Sequence, residues 1–67
     1  MKLRIKEFRK RSRMTQEELA AKAFVSQSIV AKFETGIKDP SLSTAKRIAD
    51  VFGVKIDDLI ESEVQQA

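Results

Sequence analysis

The chain has no cysteine, histidine, tryptophan or tyrosine, and it holds only one proline and two glycines in 67 residues. The missing thiols exclude disulfide cross-links, and the missing imidazoles remove the usual zinc sites and histidine-based acid–base catalysis. There is no glycine-rich phosphate loop either. Catalysis would then rest on carboxylates and lysines in no recognisable arrangement, so no enzyme activity, catalytic residue, cofactor, metal or small-molecule ligand is expected. No apolar run is long enough for a signal peptide or a membrane span, which points to the cytoplasm and against a membrane partner. Sixty-seven residues make a single domain, near the lower limit for a core without metal or disulfide.

What the chain does have is charge, unevenly placed. Residues 1–38 carry ten Lys or Arg against four acids, a net +6, while residues 39–67 carry three against six, a net −3. A basic amino half suits a polyanion partner; the acidic half is poorly suited to touching phosphate. Taken alone, Lys2, Arg4, Lys6, Arg9, Lys10, Arg11 and Arg13 could equally be an ordinary solvated helix surface.

Local signals lay out an all-α chain. The first helix is expected from about Lys2 to Arg11, with Ile5 and Phe8 inward. Thr15 followed by Glu18 is a capping box that starts a second helix, whose narrow apolar stripe is Leu19, Ala20 and Ala23. Ser26 caps a third helix and Gly36 ends it in the left-handed conformation. Val30 and Phe33 share its inner face, while Gln27, Ser28, Ala31 and Lys32 lie opposite. That outer face is thin, polar and free of acid, which fits a major groove edged by phosphates. Pro40 and Ser41 announce a fourth helix with Leu42, Ala45, Ile48, Ala49 and Phe52 as its buried stripe and Gly53 as its stop. A short fifth helix is expected around Ile56 to Ile60, with Asp57 and Asp58 in its first turn. Residues 1–61 form the domain and 62–67 a loose polar tail. Nothing in the sequence signals a strand.

Five groups of residues, Met14-Thr15-Gln16-Glu17-Glu18-Leu19-Ala20, Val25-Ser26, Phe33-Glu34-Thr35-Gly36, Pro40-Ser41-Leu42 and Phe52-Gly53-Val54, resemble the helix-turn-helix domain of phage repressor and Cro-type regulators, the Xre-like family. The resemblance runs from about Ile5 to Ile60 and implies a compact five-helix lambda-repressor-like bundle. Two positions depart from the family pattern: Phe24 stands at the turn position commonly held by glycine, and Arg13 where glycine or asparagine often precedes the second helix. A bulky residue forced to positive φ costs about 1–2 kcal/mol.

The resemblance implies a sequence-specific regulator of transcription, a repressor in the first instance, that binds double-stranded DNA with its third helix, about Ser26 to Glu34. Gln27, Ser28 and Lys32 have the amide, hydroxyl and ammonium groups suited to base edges, and Ala31 the methyl for a thymine contact. Gln16, Ser26, Thr35 and Lys38 fall where the family contacts phosphate, with Gln16 also bracing Gln27. Arg9 and Glu34 match a structural ion pair. Ile29 is expected to pack rather than read. Affinity for one site among many calls for a two-fold homodimer on DNA, for which Ile37, Val51, Val54, Ile56 and Val64 are the apolar candidates. The alternative is a protein-binding version of the same fold, such as an antitoxin or a transcriptional bridging factor.

Overall fold

Five hydroxyl or glycine signals set helix boundaries in the computed structural model, which describes residues 2–61. The order is β1 (Lys2–Leu3), α1 (Ile5–Arg11), α2 (Gln16–Ala23), α3 (Gln27–Thr35), α4 (Leu42–Phe52), α5 (Ile56–Leu59) and β2 (Ile60–Glu61). Thr15 Oγ1 accepts from the Glu18 amide at 3.1 Å and Glu18 Oε1 from the Thr15 amide at 2.8 Å, which completes the capping box. Ser26 and Ser41 cap α3 and α4 by accepting from the Ile29 and Thr44 amides at 3.1 and 3.2 Å. The fifth helix has only half of such an arrangement. The Lys55 amide donates to Asp58 Oδ2 at 3.1 Å, and the Lys55 ammonium, having no lone pair, returns nothing.

The helices close on one core of Ile5, Leu19, Ala20, Ala23, Val30, Phe33, Ile48, Ala49 and Leu59, with Ala45 buried beside it. Ala20 and Ala23 of α2 and Ala45 and Ala49 of α4 are buried, and such small residues let these helices approach closely, as the narrow stripe of α2 foretold. Phe8 and Phe52 stack at the edge of the core with ring centroids 5.8 Å apart.

Three expectations need correction. The first helix begins at Ile5, because Lys2 and Leu3 pair antiparallel with Glu61 and Ile60 and the Arg4 amide donates to the Leu59 carbonyl at 2.7 Å. The same pairing ends α5 at Leu59 and adds two short strands to an otherwise helical chain. Leu42, the first residue of α4, is 75% exposed and does not belong to the helix's buried stripe, which starts at Ala45. The expected tail, residues 62–67, lies outside the described residues, and Val64 with it.

Candidate nucleic-acid interface

The α2–turn–α3 unit positions every residue the sequence singled out for base contact. Val30 and Phe33 are buried and Ile29 is half-buried against the core, which turns the opposite side of α3 outward. On that side Gln27, Ser28 and Lys32 are exposed, whereas Ala31 is half-buried and offers less methyl surface. Gln27 and Ser28 sit in the first turn, at the positive end of the helix, which suits a position beside phosphates.

The acid nearest this face, Glu34, is removed from it. Its side chain is 3% exposed and takes Arg9 Nε on Oε2 at 2.6 Å and Arg9 Nη2 on Oε1 at 3.1 Å, while Arg9 Nη1 donates to the Met14 carbonyl at 2.8 Å. Burial pushes the Glu34 carboxyl up, but hydrogen bonds from Arg9 and Gln16 and the charges of Arg9 and Lys6 outweigh it and hold the group below the ordinary carboxylate range. The bond to Glu34, opposed by burial and helped by its charge, raises Arg9 above the usual guanidinium value. A buried carboxylate thus ties α1, the start of α2 and the end of α3 without presenting charge to the groove.

The residues matched to phosphate contacts differ in how free they are. Gln16 is half-buried, and its Nε2 donates to Glu34 Oε1 at 3.0 Å. Its structural partner is therefore Glu34 and not Gln27, and one N–H remains for a phosphate. Ser26 spends a lone pair on its cap and keeps its O–H to donate. The Thr35 hydroxyl is turned back on the Ala31 and Lys32 carbonyls at 3.1 and 3.3 Å, so a phosphate would have to replace one of these acceptors. Lys38 is exposed beyond the end of α3.

One supporting residue had no signal in the sequence. Arg47 of α4 donates from Nε to the Ala23 carbonyl at 3.0 Å and from Nη2 to Thr44 Oγ1 at 3.3 Å. It closes the end of α2 just before the turn. There Phe24 adopts φ 61° and ψ 41° and is 80% exposed, so the turn keeps its left-handed position and Phe24 carries the strain. Arg13 is likewise left-handed, at φ 57°. Among the described residues no three His, Cys, Asp or Glu side chains come together as a metal-ligating group, and no helix is long and apolar enough to cross a membrane.

A buried ion pair behind a short polar helix, with an abrupt turn before it, defines a class: a DNA-binding transcriptional regulator of the helix-turn-helix type. The sequence pattern of the helix-turn-helix family matches residues 5–59. The chain belongs to that family, in its Xre-like branch of phage repressor and Cro-type proteins. It is similar to an uncharacterised HTH-type transcriptional regulator of Archaeoglobus fulgidus, 48% identical over 59 residues that make up 88% of this chain and 83% of that protein. The immunity repressor protein of Bacillus phage phi105 is 38% identical over 60 residues, 90% of this chain, and the chain spans only 42% of its length. Among solved structures, SinR, described as the master regulator for biofilm formation and bound to DNA, matches with a TM-score of 0.76 at 31% identity, over 81% of this chain and 87% of that one.

Proposed function

We propose that the chain reads the major groove of duplex DNA with α3, with Gln27, Ser28 and Lys32 at base edges and Ala31 as a lesser apolar contact. Gln16, Ser26 and Lys38 hold phosphates and so fix register, with Thr35 a contact only where its hydroxyl re-aims. The observation that carries this reading is the joint exposure of Gln27, Ser28 and Lys32 over a helix whose one acid is buried and paired. A side chain with an amide can bond adenine at two atoms, and Lys donates to the acceptors of guanine. The role is binding, in the cytoplasm, and needs no catalysis. Similarity to a phage immunity repressor favours repression as its outcome.

A two-fold homodimer on DNA completes the proposal, because one α3 touches too few bases and two copies about 34 Å apart meet the same face of the duplex. Ile37, 76% exposed, is the most open of the apolar candidates; Val51, Val54 and Ile56 are half-buried against the core. Val54 and Ile56 also line a recess of about 400 Å³ between α4 and α5 that Lys46, Asp50, Lys55 and Asp57 edge with both signs of charge. Such an edge can complement a second copy of itself across a two-fold axis.

The test is affinity measured for cognate and random duplexes over a range of salt. Gln27→Ala should lower cognate affinity by about 1–3 kcal/mol and relax choice at one base pair, whereas Lys38→Ala should weaken all sequences alike and flatten the salt slope by about one. Equal losses on both duplexes for Gln27→Ala would count against the assignment. Salt-indifferent capture of a protein in place of DNA would return the fold to the protein-binding alternative.

A further inference from the structure

The two long faces of α1 use their cations in opposite ways. Arg4, Glu7, Phe8 and Arg11 recur at helical spacing on one face. Arg4 and Arg11 both reach Glu7 Oε2, at 2.9 and 2.8 Å, and both guanidinium carbons sit 5.2 Å from the Phe8 ring centroid. Glu7 is held below the ordinary carboxylate range by its hydrogen bond with Arg4, against slight burial, and by the charges of both arginines. Both arginines on that face are therefore engaged, with Glu7, with the Phe8 ring and, for Arg4, with the Asp58 carbonyl. Lys6, Arg9, Lys10 and the turn residue Arg13 follow the other face at the same spacing. Arg9 is consumed by Glu34, while Lys6, Lys10 and Arg13 are exposed and, among the described residues, enter no side-chain hydrogen bond or ion pair.

That second face meets the interface. Arg9 lies between these cations and joins the carboxylate that also binds Gln16 at the start of α2, and the charge of Lys6 is felt at that carboxylate. Arg13 is two residues before the Thr15 cap that opens α2. It also holds a left-handed φ of 57° that glycine or asparagine would adopt more easily, a strain of the kind retained where the side chain has work to do.

We propose that Lys6, Lys10 and Arg13 form a second phosphate-binding strip, outside the helix-turn-helix, that grips the backbone of duplex DNA flanking the base pairs read by α3. The inference rests on the reading that α3 enters the major groove with the start of α2 at the backbone. Lys6 and Lys10 are four residues of helical rise apart, about 6 Å, and Arg13 extends the strip past the end of α1. A span of that order covers two to three successive phosphates of one strand, which are spaced about 3.4 Å apart along the duplex axis. The ammonium and guanidinium groups donate to phosphate oxygens and displace condensed counterions, without reading sequence.

The test compares the full chain with two variants on a random-sequence duplex, by the slope of log affinity against log salt. Lys6→Gln/Lys10→Gln/Arg13→Asn strips the exposed face while keeping a residue tolerant of the left-handed turn. Arg4→Gln/Arg11→Gln strips the engaged face. The first variant is expected to reduce the slope by about two to three, at roughly 0.9 per phosphate contact, and the second by less than one. Circular dichroism melts of both variants establish that they are folded. Equal reductions in the two variants, or no reduction in the first, overturn the strip. Lys38→Ala separates the failures: if it flattens the slope while the strip variant does not, only this inference falls. If neither does, the groove reading falls with it.

Discussion

The four helices that end in the left-handed conformation do so by one motif, but with different residues. After α1, α2, α3 and α4 the closing residues are Arg13, Phe24, Gly36 and Gly53, at φ 57°, 61°, 82° and 71°. Each end repeats the same pair of bonds, a 6→1 bond from Met14, Val25, Ile37 or Val54 to Arg9, Ala20, Lys32 or Ala49, and a 5→2 bond inside it. A Cβ at either glycine would meet nothing within 4 Å, so glycine is there for its φ and not for space. The two ends without glycine flank α2, and each is braced by an arginine side chain: Arg9 of α1 itself bonds the Met14 carbonyl, and Arg47 of α4 the Ala23 carbonyl. Among the described residues no arginine bonds the ends at Gly36 and Gly53. Left-handed non-glycine residues stand where the helix-turn-helix unit begins and turns, and arginine side chains bond the carbonyls beside them.

The largest effect should come from breaking the stronger brace. Arg9→Ala leaves the Glu34 carboxylate buried with its cation gone and the Met14 carbonyl unbonded, and should cost about 3–5 kcal/mol in urea unfolding. A loss near that of a surface pair, under about 1 kcal/mol, would show that the junction is not the anchor. The same pair predicts a pH dependence. The folded Glu34 carboxyl lies below its unfolded value, so its contribution is present above the unfolded value and is lost as pH falls through the folded one. Glu34→Gln should therefore be less stable than the parent at neutral pH and should lose less stability on acidification.

Next in size are the relaxed ends. Gly53→Ala forces a Cβ into the left-handed region at an unbraced position and should cost about 1–2 kcal/mol, seen as a lower Tm. The smallest effect runs the other way. Phe24→Gly removes strain of the same order, offset by the extra chain entropy of glycine, and because the ring is 80% exposed little burial is lost. A net gain of about 0.5–1 kcal/mol is expected. A loss of stability on that substitution would mean that the Phe24 ring packs to advantage and that the two kinds of end are not equivalent.

Much of this was legible in the sequence because caps and left-handed stops are local chemistry. Thr15 with Glu18, Ser26, Ser41, Gly36 and Gly53 each act within four residues of themselves, whereas at Phe24 the sequence left a reshaped turn and a strained left-handed residue both open. The inner and outer faces of α3 followed from helical spacing alone. What escaped was tertiary. Two-residue strands have no periodicity to read, and the pairing of Leu3 with Ile60 joins opposite ends of the chain. The bonds from Arg47 to Ala23 and from Gln16 to Glu34 join residues 24 and 18 positions apart. Leu42 was misplaced because a periodic stripe does not say at which turn of a helix burial begins.

The most direct test of the central claim, that the exposed face of α3 selects the base sequence, is selection of bound duplexes from a random pool by the parent chain and by Gln27→Ala. The account predicts two related half-sites for the parent, and for the variant the same pattern with preference lost at one base pair in each half. An unchanged pattern, or selected duplexes with no pattern for either protein, would contradict it.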